Sequence, residues 1–301
     1  RLYFSRPADS PAVVAGVGDD GAVLPPPAGR ELVTVIDTRV AGTHFPPSMN
    51  ARDTGYRSVA VNLSDIAAMG AEPRWMTLAL TLAEADADWL GDFAEGLYEA
   101  AAEWGVALVG GDTTRGDQLV VSVQISGDLA PGTALYRSGA KAGDTVFVTG
   151  TLGDAAAGLE RLSAGAGDEY LVRRFTRPSA RVGVGRALAG IAHAAIDLSD
   201  GLVADVSKLI EASRVGAELD LQRLPLSPEL LEAAGREQAL QHAMAGGDDY
   251  ELCFALPASK LPADVAAEVT PIGRITREPG LVCRDGNSLV PVDDAGYRHF
   301  Q

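Results

Sequence analysis

The chain has 301 residues, 47% of them hydrophobic, enough to bury a sizeable core and most naturally to build two α/β domains or one large one. Its formal net charge of -16 repels free polyanions and anionic membrane surfaces, no basic run offsets it, and no apolar stretch reaches the ~20 residues a spanning helix requires, so neither a nucleic-acid nor a membrane partner is expected. Two cysteines, Cys253 and Cys283, and four scattered histidines give no disulfide framework and no paired metal-ligand spacing, which fits a reducing cytoplasm.

The chain opens at Arg1 with neither an initiator methionine nor a signal-like apolar segment, and a short preceding piece is expected. The run ELVTVI at 31–36 predicts a buried strand that ends on Asp37, at the carboxyl end where sites tend to form. A helix is predicted from Asp53 as N-cap, with an apolar stripe through Val59, Leu63 and Ile66, stopped by Gly70 and Pro73 and carrying Asp65. A strand at 75–82, a helix at 89–104, a short strand at 106–109 and another at 119–125 follow, with Asp112 in a Gly-Gly-Asp turn. The Gly-rich connector at 137–144 precedes a strand at 145–149 and marks the domain boundary, giving domains 1–137 and 138–301. Beyond it come a helix from Ala155, a helix after Pro178, a strand at 194–196 and a helix at 202–213. A loop with Pro225 and Pro228, a short helix and a strand at 250–255 complete the pattern. Strands and helices alternate irregularly and without repeats, which places the chain in the α/β or α+β class.

The segment Gly16-Val-Gly18-Asp19-Asp20-Gly21 satisfies G-x-G-x-x-G, yet two carboxylates in the loop would repel a pyrophosphate. The following Ala22-Val-Leu-Pro25-Pro26-Pro27 cannot open the helix that motif requires. No G-x-x-x-x-G-K-[ST] loop or protein-kinase signature is present either. What recurs is aspartate at predicted strand ends and in Gly turns: Asp19-Asp20, Asp37, Asp65, Asp112, Asp197, Asp200 and Asp248-Asp249. A single such Asp is most often a turn or cap residue. Asp65 inside a helix and Asp197 directly after an apolar strand are different, because a partly buried carboxylate needs a compensating cation. Hard oxygen donors suit Mg2+ or Mn2+, completed by water and phosphate oxygens. Phosphoryl transfer asks for that positioning and charge neutralisation. Arg115, Arg137 and Lys141 could assist or be solvated surface charges. The turn at 150–154 could offer N–H groups to phosphate, although a plain turn capped by Asp154 accounts for it as well.

In this order, GVGDDGAVL (16–24), DTRVAGTHF (37–45), AVNLSDIAAMGAEP (60–73), LVGGDTTRG (108–116), YRSGAKAGD (136–144), AIDLSDGL (195–202), GGDDYELCF (246–254) and GYRHF (296–300) resemble the thiamine-monophosphate kinase family. That family belongs to the superfamily of aminoimidazole ribonucleotide synthetase, and the resemblance spans nearly the whole chain. It implies a two-domain aminoimidazole ribonucleotide synthetase-like fold, with an N-terminal mixed-sheet domain for ATP, metal and dimerisation and a C-terminal α/β sandwich domain completing the nucleotide and substrate site. It also implies a homodimer paired through the N-terminal domains, and ATP-dependent phosphorylation of thiamine monophosphate to thiamine diphosphate by direct in-line attack with several Mg2+ ions. No side chain then acts as a covalent or acid-base catalyst. By matching motif, Asp20, Asp37, Asp65, Asp112, Asp197 and Asp200 are implied as metal ligands, and Gly111, Asp112, Arg137 and Ser199 as nucleotide contacts. His44, Asp248 and Tyr297 are implied as contacts of the thiamine substrate.

Two departures stand out. Val35-Ile36 precede Asp37 where relatives commonly carry hydroxyl residues, and Asp248 stands where the family often has Glu. Two other functions stay open at this level. One is a different ATP-using enzyme of the superfamily, of the purine-pathway synthetase or hydrogenase maturation type. The other is a non-catalytic nucleotide or metal sensor on the same scaffold.

Overall fold

The computed structural model describes residues 3–4, 13–17, 21–25, 27–165 and 169–291. The chain divides into two compact units, Arg1–Ile66 with Ala71–Gly132, and Ala67–Gly70 with Thr133–Gln301.

The first unit is built on a mixed sheet of β1 (Glu31–Val40), β2 (Glu72–Leu82), β3 (Ala107–Arg115) and β4 (Val120–Leu129), in the order β1-β4-β2-β3. β4 runs antiparallel to β1 and β2, while β3 lies parallel to β2. Period-2 alternation sends Val33, Val121, Val123, Ile125, Leu78 and Leu80 into the core. The opposite face carries hydroxyl ladders, Thr34 to Ser126 at 3.0 Å, Thr38 to Ser122 at 2.7 Å and Thr81 to Thr114 at 3.0 Å. It also exposes Leu32 and Ile36, at 56% and 65%.

Helix α1 (Ala51–Ala68) is buried along residues 54–64, so its polar residues must find partners inside it. Thr54 donates to the carbonyl of Asn50 at 2.8 Å, Ser58 to that of Thr54 at 2.7 Å, and Asn62 to that of Ser58 at 3.0 Å. The helix begins three residues earlier than expected, with its cap at position 50 rather than 53. Asn50 Oδ1 accepts the N–H of Asp53 at 2.8 Å and Asn50 Nδ2 donates to Asp53 Oδ2 at 2.7 Å, so Asn50 is the capping residue and Asp53 its reciprocal partner. Helix α2 (Ala87–Glu103), capped by Asp86, crosses α1 at two glycines. A Cβ at Gly55 would lie 2.1 Å from the carbonyl oxygen of Phe93, and one at Gly96 would lie 1.8 Å from that of Arg52.

The second unit contains β5 (Thr145–Thr149), β6 (Ala194–Asp197), β7 (Gly216–Asp220), β8 (Leu252–Leu256), β9 (Val269–Thr276), β10 (Gly280–Asp285) and β11 (Ser288–Val290). They form a sheet in the order β11-β10-β7-β9-β5-β8-β6, parallel only between β10 and β7. The apolar run of β8 is buried at every residue, between β5 and β6. The helices are α3 (Asp154–Ser163), α4 (Tyr170–Thr176), α5 (Val182–Leu188), α6 (Leu202–Ser213) and α7 (Pro228–Ala245). Val146, Val148, Ile196, Leu209, Leu219 and Ile272 join one core.

Several elements differ from expectation. α4 spans two helical turns, too short for a periodic signal, and β9 is interrupted by Pro271 and Gly273, with an irregular register opposite Val146 and Phe147. α7 is longer than expected because the chain, capped by Ser227 with Pro228 at its start, passes through a non-helical Gly235 and resumes.

Candidate active site

In the first unit the aspartates do not sit where a strand-end rule puts them. β1 continues three residues past Asp37, which pairs in register with Val123 on the face that carries the core and lies 3.8 Å from Arg39. Gly111 and Asp112 lie inside β3 rather than in a turn, because β3 extends to Arg115 along β2. Asp112 is exposed opposite Ala79, and its Oδ1 accepts the N–H of Thr113 at 2.9 Å. Asp65 is half-buried in the last turn of α1, as its apolar neighbours suggested. One turn before it, the buried Oδ1 of Asn62 has no hydrogen-bond partner among the described residues. His44 Nδ1 accepts the N–H of Val40 at 3.0 Å, which fixes the ring against the turn that follows β1. An antiparallel bridge between Ala15 and Val23 flanks the glycine motif, so no helix opens at Gly21 and the rejection of a dinucleotide loop holds. Asp20 and Tyr297 lie outside the described residues.

In the second unit two sequence-distant segments form one hydrogen-bonded piece. The N–H of Leu198 donates to the carbonyl of Glu251 at 2.8 Å, that of Tyr250 to Leu198 at 2.8 Å, and that of Asp248 to Ser199 at 2.9 Å. Gly247 permits this approach, since a Cβ there would lie 2.6 Å from the carbonyl oxygen of Ser199. Asp197, Ser199, Asp200 and Asp248 are thereby gathered at the end of β6, with Asp197 itself buried. Asp200 is held by groups the sequence did not single out. Its N–H donates to Asp205 Oδ2 at 2.9 Å, and Lys208 Nζ lies 2.5 Å from Asp200 Oδ2 and 2.7 Å from Asp205 Oδ1. Burial pushes the Asp205 carboxyl above its ordinary range despite Lys208. Lys208 is raised in turn, its two carboxylate bonds outweighing its desolvation. Arg137 is exposed, and its carbonyl accepts the hydroxyl of Ser213 at 3.0 Å.

Beneath these segments lies a buried charge network. Glu251 accepts from Arg181 Nε at 2.6 Å, Arg181 Nη2 at 2.7 Å, Arg174 Nη2 at 2.8 Å and the Thr149 hydroxyl. Asp249 accepts the N–H groups of Gly153 at 2.7 Å and Ala155 at 3.2 Å. Two of the N–H donors at the start of α3 therefore go to Asp249 rather than to a phosphate. Asp154 is not their cap. It is buried in the first helical turn, bonded to the hydroxyls of Thr151, Ser227 and Tyr170 and 3.5 Å from Arg174. Burial pushes Asp249 up to about 8, against its two backbone donors and Arg174. Arg174 rises because Glu251, Asp249 and Asp154 together outweigh its own burial. A predicted helix start gave no hint that its donors would be claimed by a residue some ninety-five positions away, as the 96-residue separation of Gly153 and Asp249 requires.

Among the described residues, no three His, Cys, Asp or Glu side chains converge as a cage of their own. The donors nevertheless fit a hard divalent cation. Within each unit they are carboxylates, and Mg2+ commonly takes one or two protein carboxylates plus water and phosphate oxygens.

Residues 18–129 match the family model described as AIR synthase related protein, N-terminal domain, and residues 141–286 match its C-terminal domain. The chain is 46% identical to thiamine-monophosphate kinase of Escherichia coli K12 over 99% of its own length and 96% of that protein's. The solved thiamine-monophosphate kinase of Stenotrophomonas maltophilia K279a superposes with a TM-score of 0.87 at 42% identity, covering 93% of each chain. A structure of AaThiL complexed with AMPPCP and TMP superposes with a TM-score of 0.83 at 32% identity, covering 91% of this chain and 88% of that one. With both domain models matched and such identity along almost its entire length, the chain belongs to the thiamine-monophosphate kinase family of the AIR synthase related proteins.

Proposed function

We propose that this protein transfers the γ-phosphoryl group of ATP to thiamine monophosphate, giving thiamine diphosphate and ADP. Besides family membership, the observation that carries the proposal is the hydrogen-bonded pairing of the 197–201 and 246–251 segments. It sets Ser199, proposed to contact the nucleotide, beside Asp248, proposed to contact the acceptor. Asp248 suits the cationic part of thiamine, and His44 and Tyr297 are assigned to the same substrate. Gly111, Asp112, Arg137 and Ser199 are assigned to the nucleotide. The acceptor phosphate is already largely dianionic near neutral pH, so it needs no general base. The difficulty is bringing two anions together in a protein of net charge -16.

Asp20, Asp37, Asp65 and Asp112 of the N-terminal domain, residues 1–137, and Asp197 and Asp200 of the C-terminal domain, residues 138–301, are the proposed Mg2+ ligands. When bound, the ions supply charge neutralisation for the phosphate oxygens. The protein holds the ligands in place. α1 fixes Asp65, the β2 pairing fixes Asp112, and Asp205 with Lys208 fixes Asp200. Val35 and Ile36 bring no hydroxyl to the Asp37 position, and Ile36 is instead an exposed apolar residue. Its face of the four-stranded sheet, with Leu32 and the hydroxyl ladders, supports a homodimer paired through the first unit. No helix among the described residues is long and apolar enough to cross a membrane, and both cysteines are free and buried, which supports a cytoplasmic setting.

Incubation with thiamine monophosphate and Mg-ATP, followed by chromatography, tests the proposal. Stoichiometric thiamine diphosphate and ADP are expected. ATP binding with no product under metal-replete conditions would overturn it in favour of a sensor.

A further inference from the structure

Asp248 and Tyr250 are both in the left-handed backbone region, at φ 72° and 52°, with Asp249 between them. Aspartate visits that region readily, but for a bulky aromatic side chain it is uncommon and strained. Glycine at position 250 would relieve that strain. The chain keeps tyrosine, a residue only 2% exposed, and aims the hydroxyl at Asp248, where it donates to Oδ1 at 3.1 Å.

The surroundings hold this arrangement in place on every side. The N–H groups of residues 248 and 250 are bound by the 198–199 segment, and the intervening Asp249 is clamped to the start of α3. Glu251, next in the chain, is locked by Arg174 and Arg181. Asp249 and Glu251 are committed to the interior, so Asp248 is the half-buried acidic residue of this run, and the Tyr250 hydroxyl helps to set its angle.

We propose that Tyr250 is a positioning residue for acceptor recognition, its phenol O–H holding the Asp248 carboxylate in the orientation that meets the cationic part of the thiamine substrate. The inference rests on the reading of Asp248 as a substrate contact. A carboxylate anchored at one oxygen loses less rotational freedom when the substrate binds, which lowers the KM for the acceptor without altering the nucleotide side.

Y250F keeps the buried ring and removes the hydroxyl. The expected result is a KM for thiamine monophosphate raised about tenfold, the loss associated with a hydrogen bond to a charged group, with the KM for ATP and kcat within about twofold of wild type. Y250F and D248A, singly and combined, separate the inference from the reading beneath it. Product formation by wild-type enzyme and a raised acceptor KM in D248A test the reading, and a D248A enzyme with unchanged acceptor KM removes both. With those in hand, Y250F must cost nothing further in the D248A background. An unchanged acceptor KM in Y250F, an equal rise in the KM for ATP, or full additivity with D248A would each overturn the role assigned to Tyr250 while leaving the kinase activity standing.

Discussion

Arg181 meets Glu251 at two points, Nε to Oε2 at 2.6 Å and Nη2 to Oε1 at 2.7 Å, around a carboxylate with no exposed surface. Removing the charge while keeping the shape, as in E251Q, leaves Arg181 and the still more buried Arg174 without their counter-charge. Breaking such a pair costs about 3–5 kcal/mol. Denaturant unfolding of E251Q should show a loss of that order, and a loss below about 1 kcal/mol would mean that water or Asp154 takes over.

Asp249 sets a pH dependence of opposite sign to that of an ordinary paired carboxylate. Its folded value of about 8 lies above that of the unfolded chain, so the folded state holds the proton more tightly. Its contribution is fully present below about pH 4 and is lost as pH rises through about 8. The stability advantage of wild type over D249N should therefore shrink between pH 5 and pH 8 and level off above, measured by thermal unfolding across that range.

Asp128 behaves in the conventional way. Its carboxylate is fully buried, and burial alone would raise it, but hydrogen bonds from Arg74 and Arg30 win and hold it below the usual range. Stability from this cluster is present above about pH 4 and lost as pH falls through the lowered value. The acid limb of the wild-type stability profile should be steeper than that of D128N, and parallel limbs would contradict the assignment.

G96A tests the crossing of α1 and α2. The added methyl would lie 1.8 Å from the carbonyl oxygen of Arg52, with no flexible side-chain end to give way. Overpacking of this kind costs typically about 1–3 kcal/mol, whereas Gly to Ala in an open helix interior would stabilise by up to about 1 kcal/mol. Because α1 carries Asp65, weaker metal-dependent nucleotide binding should accompany the lower stability.

D65N and D112N each remove one charge from the proposed ligand set. Calorimetric titration with a nonhydrolysable ATP analogue should show a loss of more than about tenfold in affinity in the presence of Mg2+ for both. Unchanged binding in both variants would leave these aspartates as structural residues of α1 and β3 alone.

Much of this was legible in the chain itself, and the places where it was not share a cause. The helix at 202–213 and the strand at 145–149 agree with α6 and β5 residue for residue, because both have compact apolar patterns bounded by turn residues. Asp37 and Asp112 are expected just past strand ends, whereas both lie within strands. β1 and β3 run on because partner strands extend beyond the local apolar signal, and pairing is invisible to local pattern. Asp249 and Glu251 share a motif with Asp248, yet only tertiary contacts separate two interior anchors from a half-buried neighbour. Lys208 stood three residues from Asp205 on a predicted helix, a spacing that could have drawn attention to it.

The single backbone bond from the N–H of Asp248 to the carbonyl of Ser199 has a thermodynamic consequence. If the first ligand orders one of these segments, the conformational entropy of its neighbour is spent at the same moment, and the second ligand arrives at a surface already stiffened. Donor and acceptor should then bind with positive cooperativity even where no atom of one touches the other, and by linkage each should tighten the other's binding by the same factor.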